Sequence, residues 1–520
     1  MSRSAGSPRA ILRAVFPVAI SVCNIDNSDG LTKGANMRWR TSIDFGPPEL
    51  APPNQVQARA TRALLMGVLV LSLAAAVLWS VLALGGVTSA KALTSAGTVQ
   101  PLIDATHLPP LLTVAGDHLS LLRYDITCTE PATESGSNCD VGGTVYARAG
   151  ATGAFHALPL HLDAAASVDR YTATLPTDIA ASATGFSYYA VIRDRLSGAT
   201  VTLPAGGASA PQQSLRLANP INIHLGTHQF GNAQAASARV ASAPWGNGPG
   251  DVGIEDGPQL DPIGAASFDV DTAGTVTVLD EAHKRLLRFA NGTPSAPTAI
   301  SVGVRGTIAD LAVRPDGGSY VLESVADPGQ TPLVRSFDNA GQLAGTWRAA
   351  EPTASALRLG SSGPQALEYP ASQWMPIATT PSDPGPAVQR AQGTAGRALV
   401  GGQQLIAQRE GTEARIALVG PAGVVKSWRI RTATPLAEIQ LAEPIGQRVV
   451  VVLRTYTDTD SEFANLVLGD HGLDQHFSVD ASEWAESAPL SRFRLVGSSL
   501  FHLGSTATGM FVDRFDLEVH

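Results

Sequence analysis

Along most of this chain, apolar and polar residues alternate with a period of two in short runs, separated by clusters of Gly, Pro, Asp and Ser. That alternation predicts half-buried β-strands joined by turns. One stretch breaks the pattern. Residues 63–85 carry no charged side chain. Spanning the hydrocarbon core of a bilayer takes about 20 apolar residues, so the run is long enough. It has almost no polar face, unlike a helix packed on a protein surface. It also exceeds the apolar region of a signal peptide, about 7–15 residues. A single transmembrane helix over 63–85 is the expectation, a signal-anchor in type. Thr88-Ser89-Ala90 leaves cleavage after Ala90 open as the alternative.

Flanking charge sets the orientation. Residues 1–62 carry eight basic side chains against four acidic ones, and Arg59 and Arg62 abut the helix, with Lys91 beyond it. The positive-inside rule then puts the N-terminus in the cytoplasm and the bulk of the chain outside the cell membrane. Residues 1–60 lack periodicity and read as a disordered cytoplasmic segment. Met1 and Met37 are both plausible starts. Cys128 and Cys139 fall on the outer side, separated by a polar, turn-rich insert, and are expected to form a disulfide there. Cys23 is the remaining cysteine.

After a linker at 86–110, strand-like runs at 118–127, 143–149, 154–162, 170–176, 185–194 and 199–204 crowd into about 100 residues. This density predicts a small β-sandwich over 111–215. The run from Tyr171 to Pro176 and the run from Phe186 to Asp194 resemble strands of bacterial immunoglobulin-like or fibronectin-like modules. The buried Trp of antibody domains has no counterpart here.

From about residue 240 the pattern repeats. A strand, an Asp/Gly turn and two further strands occupy 266–289, and the same succession returns at 309–324 and 333–337. Weaker echoes lie at 337–347, 419–428 and 468–477, each a Gly turn with an aromatic shortly after it. A strand-built period of roughly 40–50 residues means propeller blades, so 219–520 is expected to form a β-propeller of about six blades. Asp280-Glu-Ala-His283-Lys-Arg285-Leu286 resembles the turn of an NHL-type blade, with His283 where that family has Asn. The fold class is therefore mainly β: one transmembrane helix, a small sandwich, then a propeller. Open sheet edges are a liability, so the ring must close. The C-terminal segment offers three strands, and the fourth is expected from 219–245, leaving Phe511, Val512, Phe515 and Leu517 partly buried.

Composition narrows the function. The formal net charge is −9, with 36 Lys and Arg against 45 Asp and Glu. No basic run stands out, so a nucleic-acid partner is not expected. The Ala/Gly/Arg bias with few lysines is that of a high-GC bacterial genome. No nucleophile elbow, P-loop or dinucleotide fingerprint is present. Asp269-x-Asp271-x-x-Gly274 is too short a ligand series for calcium and reads as a turn. Asp280, His283 and Arg285 read as hydrogen bonding within a tight turn, or as a channel mouth. His224 and His228 would share a metal only on a helix, and here they sit in a strand-then-turn pattern. The glycines of 246–253 precede no helix and read as a connector. Trp245, Trp347, Trp374, Trp428 and Trp484 read as packing between sheets, with a sugar platform as the alternative.

No catalytic residue, metal ligand or cofactor is assigned. The expected function is a membrane-anchored extracytoplasmic binding or scaffold protein that offers a propeller to a protein or glycan partner. The alternatives are a propeller enzyme of lactonase or lyase type with a central metal, and a subunit of an envelope complex.

Overall fold

The computed structural model describes residues 102–518 apart from 118–120, 130–139, 167–168, 197, 205, 258–259, 301–306, 325–331, 350–353, 361–362, 369–372 and 378–395. The expected membrane helix at 63–85, the segment before it and Cys139 lie outside the described residues. Cys128 sits on the strand Leu121–Thr129, opposite Ile103. Among the described residues no helix is long and apolar enough to cross a membrane. The described part is mainly β, with one four-residue helix at Thr177–Ala180.

The first region is two sheets packed face to face. One has the order Leu102–Thr106, Leu121–Thr129, Arg170–Thr174, His161–Leu162. The other runs Leu112–Val114, Gln212–Leu217, Phe186–Asp194, Val141–Ala149, His156–Pro159, with Thr200–Leu203 beside Phe186–Asp194. Alternation decides what faces inward. Leu122, Tyr124 and Ile126 point into the shared core, while Arg123 and Asp125 point away from it. The stretch expected as a linker supplies the first strand. The residue just after it, His107, stacks on Tyr124 at 4.3 Å and hydrogen-bonds the Tyr188 hydroxyl at 2.7 Å.

The second region is propeller-like. Among the described residues six sheets of three to five strands follow one another, each in contact with the sheets before and after it. Blade 1 starts with Ser267–Val270, blade 2 with Thr307–Val313 and blade 3 with Ala354–Gly360. Blade 4 starts with Arg397–Ala398, blade 5 with Leu436–Ile445 and blade 6 with Phe493–Val496. A strand between two stacked sheets is buried on both faces and loses its alternation. Arg448–Tyr456 in blade 5 shows this. Val449, Val451 and Leu453 pack toward blade 4, whereas Val450 and Val452 pack toward blade 6. The three sequence echoes are outer hairpins of blades 2, 4 and 5, and their aromatics Trp347, Trp428 and Phe477 are buried against neighbouring sheets.

The ring closes with the strand Ala238–Pro244, which lies antiparallel to Gly509–Asp516 as the outer strand of blade 6. Val512, Phe515 and Leu517 are buried as a result. The other strand expected in that stretch, Ile221–Gly226, instead runs parallel to Gly423–Thr432 as a fifth strand of blade 4. The two-sheet region is joined to that blade. Leu111, Leu112, Val114 and Leu217 pack on Ile406 and Ala417, on the side of blade 4 that faces away from blade 5. Asp117 accepts hydrogen bonds from Arg415 at 2.7 Å and Arg429 at 3.1 Å.

Candidate functional site

The axis of a propeller is where inner strands from all blades converge, so it is the first place to look for chemistry. Here the first strand of each blade contributes one charged residue: Asp269, Asp310, Arg358, Arg397, Glu443 and Arg494. The three acids and three bases balance. Arg494 Nη2 donates to Asp310 Oδ1 at 2.6 Å, and its Nε lies 3.5 Å from Asp269. Arg358 Nη1 donates to the other Asp310 oxygen at 3.2 Å, and its Nε lies 3.9 Å from Glu443. Arg397 donates to the remaining oxygen of Glu443. Asp310 also accepts from the Ser267 hydroxyl at 2.5 Å and from the Leu357 and Leu311 amides.

Asp310 is fully buried. Burial alone would raise its pKa, but Arg494 and Arg358 outweigh that and hold it below the usual carboxylate range. Asp269, with weaker ion pairing, is raised by its burial. Burial and the neighbouring Arg494 push Arg358 down to about 10. The axis is thus a network in which each charged group faces a countercharge, with Arg397 Nε left without a hydrogen-bond partner. Its only member weighed from sequence was Asp269. A legible signal existed: a lone charge between apolar residues on a buried strand, as in Ala309-Asp310-Leu311 and Phe493-Arg494-Leu495.

The other residues weighed from sequence do not come together. Asp269 faces the axis and accepts the Val313 amide at 2.7 Å, while Asp271 caps its own turn through the Ala273 and Thr275 amides. The pair is therefore a turn, not a shared site. Asp280 is fully buried and accepts from His283 Nδ1 and Arg285 Nε, both at 2.7 Å, and from the Gly253 amide at 3.1 Å. Arg285 reaches on to the Gly248 and Asp251 carbonyls. The Asp280–Arg285 turn thus clamps the 246–253 connector onto blade 1.

His224 is exposed on its strand opposite Arg431, whereas the His228 side chain is buried against Glu462 at 2.8 Å. A shared metal between them is not formed. Among the described residues no three His, Cys, Asp or Glu side chains are grouped to hold a metal ion. The tryptophans divide. Trp347 and Trp428 are packing residues, while Trp245 stacks on Trp484 at 6.1 Å, with Trp484 41% exposed.

Two features escaped the sequence. Burial pushes the Glu483 carboxyl up to about 7, against the opposing effect of Arg492 at 2.9 Å. And His228 and His476 line a polar cleft between blades 4 and 5, with Glu462 bonded to His228. Their sequence separation hid both.

No protein-family model matches the sequence, and no curated protein is similar to it. Among solved structures the chain is similar to virginiamycin B lyase from Staphylococcus aureus, at 8% identity and a TM-score of 0.30, over 49% of this chain and 96% of that one. It is similar to Kuenenia stuttgartiensis hydrazine synthase at 13% identity and 0.29, over 48% and 80%. It is also similar to YCF48 from Cyanidioschyzon merolae at 9% and 0.24, over 46% and 79%. At these values the likenesses carry no argument about activity, and the propeller rests on strand order and blade contacts.

Proposed function

We propose that this chain is a non-catalytic binding or scaffold protein, held at a cell membrane by residues 63–85 with its β-rich part outside the cytoplasm. The observation that carries the reading is the axis. A lactonase- or lyase-type propeller with a central metal needs axial carboxylates free to turn toward it. Asp269, Asp310 and Glu443 are the carboxylates on the ring described above, and each is turned to an arginine. A rigid ring with a charge-paired centre acts through its rim and loops, where binding surfaces on rigid scaffolds usually lie. The partner in this reading is a protein or glycan of the envelope, and a Cys128–Cys139 disulfide belongs to it.

Protease added to spheroplasts carrying the full chain with a C-terminal tag tests the topology. Loss of the tag is expected, and a protected tag overturns it. Mass spectrometry of non-reduced peptides tests the disulfide, and two free thiols overturn it. For the absence of catalysis, the purified chain is given a panel of lactones and cyclic depsipeptides. Turnover that is lost in Asp310→Asn overturns the reading.

A further inference from the structure

The outer strands of blades 4 and 6 come from one segment of chain, Ile221–Gly226 and Ala238–Pro244, and the residues between them cross the edge of blade 5. This strap is pinned in the crossing. Gln234 N donates to Ser478 O at 2.8 Å. Gly231 N donates to Glu462 Oε1 at 2.6 Å, and His228 Nε2 donates to Glu462 Oε2 at 2.8 Å. Under the strap, between blades 4 and 5, lies a cleft of about 320 Å³.

The wall of this cleft is polar. The strap brings Thr227, His228, Gln229 and Asn232, and the blades bring Thr432, Thr455, His476 and Ser478. No lysine, arginine or carboxylate lines it among the described residues. Burial and the nearby His228 lower the His476 pKa, so that imidazole is neutral at pH 7. Thr432 and Thr455 donate to the Gly226 and Glu462 carbonyls, and the Thr432 hydroxyl also accepts from the Thr434 amide. The side chains of Asn232, His476 and Ser478 make no hydrogen bond within the described structure. Amide, hydroxyl and imidazole groups each donate and accept. Leu225 and Ala464 add apolar patches to the same wall.

Physical chemistry narrows the occupant. A charged ligand would meet no countercharge here. A purely apolar one would strip water from Asn232, His476 and Ser478 and leave them unpaired, which is costly. A ligand with many donors and acceptors, no charge and C–H faces satisfies the whole wall. The volume lies at the low end of the roughly 300–1,000 Å³ typical of small-ligand sites, which suits the end of a glycan and not a long chain of it.

We propose that this cleft is a saccharide-binding site that takes the neutral terminal unit of a glycan. The proposal rests on the reading of the chain as a binding protein and names the ligand class for it. The His228–Glu462 pair is a positioning element that holds the strap over the site, and Asn232, His476 and Ser478 are its direct contacts.

The test uses the full chain purified in a detergent without a sugar head group. Saturation-transfer NMR and calorimetry are run with glucose, galactose, mannose, N-acetylglucosamine, cellobiose, maltose and chitobiose. At least one of these is expected to bind. Asn232→Ala and Ser478→Ala should each weaken it by about tenfold or more while thermal unfolding is unchanged, and Trp484→Ala, outside the cleft, should have no effect. Absence of binding by every sugar in the panel overturns the proposal, as does binding that survives both cleft substitutions. Consumption of the bound sugar would keep the site and overturn the non-catalytic reading. No sugar binding and no turnover of any substrate would remove the site and leave that reading standing.

Discussion

The propeller axis and the strap-roofed cleft are both polar clusters buried at junctions between blades, yet they are built in opposite ways. On the axis, charges of both signs are buried together, and every acid finds an arginine within 4 Å. In the cleft, the side chains of Asn232, His476 and Ser478 face open space without a hydrogen-bond partner. Buried charges must be paired, or the desolvation cost is prohibitive. A charge-paired cluster therefore orders structure, because no carboxylate is left over for a ligand. Neutral polar groups at the edge of a cleft tolerate solvent and can exchange it for a ligand at little cost.

The two clusters also differ in what holds them. The axis is held by the blades alone, while the cleft needs the strap. Removal of residues 508–520 tests that dependence most severely. It deletes all of Gly509–Asp516 and so releases Ala238–Pro244, the end of the strap. Loss of the cooperative thermal transition is the expected result, followed by circular dichroism. A truncated chain that melts at the temperature of the full one would break the account of closure.

Next comes the axis itself. Asp310→Ala leaves Arg494 and Arg358 buried without their shared carboxylate. Removing one partner of a buried pair costs about 3–5 kcal/mol, read as a shift in the urea midpoint. A change indistinguishable from zero would mean that the ring is wet and adaptable, which would dissolve the contrast with the cleft.

Two histidines with no ion partner fall between these cases, His107 partly buried and His502 buried. Burial lowers His107 to about 4 and His502 to about 3, both from 6.5. The folded chain thus keeps both neutral where the unfolded chain takes up protons. Stability should fall as pH drops from about 6.5 toward 4, by on the order of 3 kcal/mol for His107, and His107 should add nothing further below about 4. His107→Phe and His502→Phe should flatten the profile in that window. An unchanged pH profile in both variants would overturn the assignment.

His228→Ala probes the strap. It leaves Glu462 buried with one hydrogen bond instead of two, at a cost of about 1–3 kcal/mol, with exchange of the Gly231 and Gln234 amides accelerating as the strap loosens. The smallest effect is expected at Asn232→Ala, within about 0.5 kcal/mol of the parent. A large loss of stability there would mean that the cleft, like the axis, is structural.

The sequence by itself determined the elements of this protein. Period-two alternation marked the strands, the recurrence of 266–289 at 309–324 marked the blades, and three C-terminal strands without a fourth pointed to closure from 219–245. Even the Asp280, His283 and Arg285 turn could be read, since its hydrogen bonds join residues a few positions apart. Such features are local, or follow from a sheet's need to bury its faces and edges.

Only the tertiary structure decided which polar residues meet. The axial ring draws Asp269 and Arg494 from opposite ends of the propeller, and the cleft brings His228 to Glu462 across 234 positions. A one-residue shift of register would turn Asp310 from the axis into a blade interface. The alternation shows that Asp310 is on a strand but not which neighbour it will face. The strap shows the same division most clearly: its two strands were legible as strands, and their assignment to blades 4 and 6, with a roofed cleft over blade 5 between them, followed from the closed ring.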